Sequence, residues 1–111
     1  MDSGRLLTIA IPAARTTTGT SDVSDIFAEA MAVTLDVTAA SGTAPTLNVV
    51  LEDAPSSTGP WTTLATFAQK TVAAVEVQRV TSEAFHRYVR TRWTIAGTAP
   101  SFTFSVQATL R

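Results

Sequence analysis

His86 is the only histidine in the 111-residue chain, and so the only side chain whose ordinary pKa suits general acid–base work near neutral pH. It stands between Phe85 and Arg87 with no nucleophile motif around it, which reads as a solvated or backbone-bonded imidazole rather than a base. Serines are plentiful, but no Gly-x-Ser-x-Gly elbow occurs, and the five glycines are too scattered to cradle a phosphate. The absence of cysteine removes disulfide scaffolds, thiolate zinc sites and Cys/His nucleophile pairs together. The acidic pairs Asp22/Asp25 and Glu52/Asp53 could offer hard oxygen ligands to calcium, yet neither has a third carboxylate nearby in sequence. Solvated loop-end carboxylates are the simpler reading. No cofactor, metal or enzymatic activity is expected.

What remains is recognition. Arg87, Tyr88, Arg90 and Arg92 form the densest polar cluster, and arginine with an aromatic on one strand face is the composition of interface hot spots. The competing reading pairs these arginines across strands with Glu76, Glu52 or Asp36, as ordinary surface ion pairs. Trp61 and Trp93 could stack on a sugar, but Trp93 is patterned inward with Val89 and Ile95, which leaves Trp61, beside a Pro/Gly loop, as the open one. With Arg5 and Arg15 from the N-terminal region, the candidate interface set is Arg5, Arg15, Trp61, Arg87, Tyr88, Arg90 and Arg92. Charged residues are 15% of the chain and the net charge is -1, so the basic footprint needed for nucleic acid or an anionic membrane is missing. The apolar run Leu6 to Ile11 stops at Pro12, too short for a secretory or spanning segment, which predicts synthesis and retention in a cytoplasm.

The elements that must position these residues are strands. Roughly one residue in six is threonine, valine is abundant, and proline and glycine punctuate a few points. Alternation predicts strands over 5–11, ended by Pro12; 23–27; 32–39, with Val33, Leu35 and Val37 inward; and 46–52, with Leu47, Val49 and Leu51 inward. It continues over 61–67, mixed on both faces as in an edge strand, and 72–80, with a bulge near Ala73-Ala74. The last two are 86–96, with Val89, Thr91, Trp93 and Ile95 inward, and 101–110, with Phe102, Phe104, Val106, Ala108 and Leu110 inward. Residues 13–21 lack periodicity and read as a loop or arm, while residues 28–31 add a competing helix signal. Gly42-Thr43-Ala44-Pro45 recurs as Gly97-Thr98-Ala99-Pro100, each expected to turn a β-hairpin, and 53–60 is an exposed loop. The expectation is one all-β domain over 1–111. It is a single β-sandwich of about seven to eight antiparallel strands, jelly-roll-like or immunoglobulin-like, with an extended N-terminal arm over 1–21.

The succession Leu35-Asp36-Val37-Thr38-Ala39-Ala40-Ser41-Gly42-Thr43-Ala44-Pro45-Thr46-Leu47, a Pro/Ser/Gly loop into Trp61-Thr62-Thr63-Leu64-Ala65-Thr66-Phe67, then Arg87-Tyr88-Val89-Arg90 and Trp93 to Val106, resembles small virion structural proteins of tailed bacteriophages. The likeness runs from about Ala32 to the end of the chain. It implies a non-enzymatic β-sandwich of the capsid decoration, head-fibre or minor tail type. A decoration protein would bind the outside of the expanded head and stabilise it; a tail, neck or fibre component is the alternative, and a glycan-binding module is the reading from another class. Implied partners are the major capsid protein or other virion proteins and further copies of the chain, a trimer matching a local three-fold axis. Nucleic acid and membrane are not among them. The implied location is the virion, assembled in the host cytoplasm. Replacing Arg90 and Arg92 together with Ser is expected to leave folding intact and weaken that binding.

Overall fold

The computed structural model describes residues 5–25, 30–81 and 88–110. Two long strands organise it, β4 (Ala30–Ala54) and β7 (Tyr88–Leu110), which run antiparallel from Met31 opposite Leu110 to Ala54 opposite Tyr88. Strands of this length cannot stay in one sheet of so small a domain, and each bends midway from one layer into the other. The flanking strands are β1 (Arg5–Arg15), β2 (Gly19–Thr20), β3 (Ser24–Asp25), β5 (Thr62–Thr66) and β6 (Ala74–Thr81). The first layer runs β1, the C-terminal half of β7, the N-terminal half of β4, then β6. The second runs β2 with β3, the N-terminal half of β7, the C-terminal half of β4, then β5. Two antiparallel four-position layers with the chain alternating between them make a jelly-roll sandwich rather than an immunoglobulin-like one.

The bend is built from the sequence echo. Thr43 lies opposite Thr98, and the ladder register shifts on both sides of that pair. Gly42 and Gly97 have φ of 113° and 123°, and Ala44 and Ala99 both have φ of 49°. A Cβ on Gly42 would lie 2.7 Å from the Ala99 carbonyl oxygen, and one on Gly97 would lie 2.9 Å from that of Ala44. The two segments are therefore each other's partners, related by a local two-fold. This corrects the two expected hairpins: 32–39 and 46–52 occupy opposite layers and pair with β7, not with each other. Gly and Pro signal that regular pairing is interrupted, and a corner interrupts it as well as a reversal does.

The core forms between the layers. Val33, Leu35, Val37, Leu47, Val49, Leu51, Val89, Phe102, Phe104 and Val106 are buried, as alternation predicts, and Trp93 meets Phe104 edge-on across the layers with ring centroids 5.4 Å apart. Three further expectations change. β1 continues through Pro12 to Arg15, because an edge strand tolerates a residue without an N–H donor. From Arg5 onward the segment expected as an arm is thus a docked strand and a following strap. β6 keeps an unbroken register against β4, so the parity break at Ala73-Ala74 belongs to the bend before the strand and not to a bulge within it. The predicted strand over 23–27 is present as Ser24–Asp25. Phe27, Ala28 and Glu29 of the helix signal, His86 and Arg87 lie outside the described residues, while Ala30 and Met31 open β4.

Candidate functional site

The outer face of the second layer gathers the charged candidates. Glu52 on β4 stands opposite Arg90 on β7, and Val50 stands opposite Arg92, so one carboxylate lies between two guanidinium groups. Arg90 Nε donates to Glu52 Oε1 at 2.9 Å and Arg92 Nε to Oε2 at 3.0 Å. The Glu52 side chain is 8% exposed and that of Arg92 is 47% exposed, so the acid is covered by the bases that satisfy it. Arg90 also lies over the Trp61 ring, 4.3 Å from its centroid. Trp61 is delivered by the 55–60 loop, in which the Ser56 hydroxyl donates to the Gly59 carbonyl at 2.8 Å and the Gly59 N–H donates to the Ser56 carbonyl. Tyr88, opposite Ala54, extends the patch along β7 and is half-buried. Trp61, Arg90, Arg92 and Tyr88 are thus neighbours on one layer, fixed around a buried carboxylate with one positive charge in excess.

Arg15 is elsewhere. Its guanidinium lies 4.8 Å from the Trp93 ring centroid and 4.5 Å from that of Phe104. It donates to the carbonyls of Phe104 and Ile11 at 2.7 Å and of Ala13 at 3.2 Å. Burial holds this guanidinium below its usual pKa. It seals the open side of the sandwich beside the 16–21 strap, where Trp93 Nε1 donates to the Thr17 carbonyl and Ser21 exchanges two hydrogen bonds with the Thr91 backbone. A cleft of about 200 Å³ opens there, lined by Ile9, Ile11, Arg15, Thr20, Asp22 and Trp93 among others. Of the remaining candidates, Arg5 enters the ladder opposite Leu110, at the far end of the first layer.

A second carboxylate escapes the sequence reading as a site of its own. Glu76 on β6 faces into the sandwich edge and accepts from Lys70 Nζ, from Gln78 Nε2 at 2.6 Å and from the Ala68 N–H at 2.9 Å. Burial alone would raise its pKa, but these hydrogen bonds and the Lys70 charge outweigh it and hold the carboxyl below its ordinary value. A signal was present, because Val75 and Val77 alternate with Glu76 and Gln78 before Arg79 and Val80 reverse the pattern, but nothing in the alternation says which set faces the core.

No protein-family model matches the sequence, and no curated protein is similar to it. Solved structures do share the fold. The VP2 subviral particle of infectious bursal disease virus superposes over 98% of this chain and 32% of its own, with a TM-score of 0.61 at 9% identity. The CBM36-1 domain of a multidomain xylanase from the hindgut metagenome of Trinervitermes trinervoides matches 96% of both chains, with a TM-score of 0.52 at 5% identity. A family 29 carbohydrate-binding module from Piromyces equi covers 96% of this chain and 91% of its own, with a TM-score of 0.52 at 9% identity. The chain spans about a third of the length of the viral proteins it resembles. Viral capsid proteins and carbohydrate-binding modules are therefore both structural neighbours of this β-sandwich.

Proposed function

We propose that this chain is a non-enzymatic bacteriophage virion protein that decorates the outside of the expanded head, docking through the outer face of its second layer. The observation that carries this reading is the Glu52–Arg90–Arg92–Trp61 cluster. Two arginines and a tryptophan, already held in place by a buried acid, lose little conformational freedom on contact with a protein surface. Arg90 covers one face of Trp61, which disfavours that ring as a sugar platform. Many copies binding together reinforce a shell without any single strong contact, and binding confined to the expanded state stabilises that state by mass action.

The test mixes the protein with undecorated expanded heads, unexpanded procapsids and isolated tails, and counts bound copies after sedimentation. Saturable binding to expanded heads alone, weakened about tenfold by Arg92→Ala, is the expected outcome. Binding to tails at a few copies moves the protein to the tail, neck or fibre; binding to none removes the virion reading.

Glycan binding is the second reading, and the cleft lined by Arg15, Thr20 and Asp22 above the buried Trp93 favours it by offering charged and hydroxyl hydrogen-bonding groups. Titration with oligosaccharides would then shift tryptophan emission. Unchanged emission across a glycan panel would remove it.

A further inference from the structure

A sheet edge presents unpaired N–H and C=O groups, and proteins protect such edges by brevity, bulges, proline or lysine. β2 and β3 are two residues each, β5 is five residues with a register shift beside it, and β1 carries Pro12 and two irregularities. β6 has neither brevity, bulge, proline nor lysine, and its one inward-facing charge, Glu76, is already held by Lys70. It is eight residues, Ala-Val-Glu-Val-Gln-Arg-Val-Thr, pairs in unbroken register with β4 on one side, and has no strand partner on the other among the described residues. Its polarity is also inverted. Glu76 and Gln78 face inward, while Val75 and Val77 point outward, 64% and 49% exposed, with Val72 exposed just before them.

We propose that β6 is a dimerisation edge, and that its occupant is β6 of a second copy of this chain, antiparallel across a two-fold axis through Val77. The charge pattern permits this partner and, together with the exposed valines, favours this register. With Val77 on the axis, valine faces valine, Val75 faces Arg79, and Glu76 faces Gln78 of the second copy, so no like charges meet. Centring the pair on Glu76 or Arg79 would set identical charges directly opposite, which destabilises a cross-strand pair. Centring it on Gln78 would separate the two Val77 side chains and set each against Arg79. The first layers of two copies then join into one continuous eight-position sheet. An isologous dimer differs from the trimer implied by the family resemblance, and the inference holds whether the outer partner is a shell or a glycan.

Sedimentation equilibrium of the full chain, over a concentration series into the hundreds of micromolar, should give twice the 11.7 kDa chain mass. Val77→Lys should restore the monomer while leaving the circular dichroism spectrum and melting transition in place, because this side chain is half-exposed in the monomer. The absence of cysteine makes a second test clean: Val77→Cys should oxidise to a cross-linked dimer, and Leu6→Cys, on the opposite edge of the same layer, should not. A monomer at every concentration, a trimer, an assembly indifferent to Val77→Lys, or cross-linking at Leu6 with Val77 silent would each overturn the proposal.

Discussion

Glu52 changes how the arginine cluster must be tested. Serine at both Arg90 and Arg92 removes the two guanidinium partners of Glu52 together with the side chains that cover it, so water replaces part of what is lost and the cost is about 1 kcal/mol. The double variant is therefore expected to lower the denaturation midpoint, contrary to the sequence-based expectation that folding would be untouched, whereas Arg92→Ala alone keeps the Arg90–Glu52 bond and should unfold close to wild type. Urea titration of the two variants checks this. Glu76 carries the clearest pH dependence. Its folded pKa lies below the ordinary 4.5, so its contribution to stability is present above that value and is lost as pH falls through the lowered one. Stability measured between pH 6 and roughly 3 should decline, and Glu76→Gln should flatten that decline. The sequence placed Arg90 and Arg92 on one outward face and named Glu52 among three acids that could meet them. Choosing among the three needed the register between strands separated by most of the chain, which alternation does not contain. The cage around Arg15 was illegible for the same reason, since its two rings come from different layers.

At the scale of elements, the inward apolar faces of β4 and β7 were legible because burial on one side imposes a period of two and one slip would turn every side chain over, but Asp53 and Ala54, expected in an exposed loop, are buried residues of β4. The corners were not legible. Gly42 and Gly97 looked like hairpin turns because their positive φ serves a turn and a sheet-switching bend equally well. The corner makes its own prediction. Alanine at Gly42 meets both an unfavourable φ and the Ala99 carbonyl, and Gly97→Ala meets the mirror-image problem at Ala44. Each should cost about 1–3 kcal/mol, the two similar in size, as read by chemical denaturation. An effect at only one glycine would mean the local two-fold is not energetic. β6 differs in the opposite sense: the sequence predicts a bulge where the strand is regular, because the break in parity reflects a change of direction just ahead of it.

For the molecule as a whole, composition and alternation lead to a single β-sandwich, and the topology resolves which kind. The likeness to viral capsid proteins and to carbohydrate-binding modules follows from that architecture, which hosts both, so discrimination between them rests on the outer face of the second layer and on the cleft beside Trp93. The passage of β4 and β7 through both layers has a mechanical consequence. Since the same two strands carry the central ladder of each sheet, neither layer can be peeled from the other without bending or breaking a strand they share. A force that pulls the ends of β4 and β7 apart along their length loads many backbone hydrogen bonds in parallel, as shear, instead of opening them one after another. The bent central ribbon thus acts as a tie between the two faces of the plate.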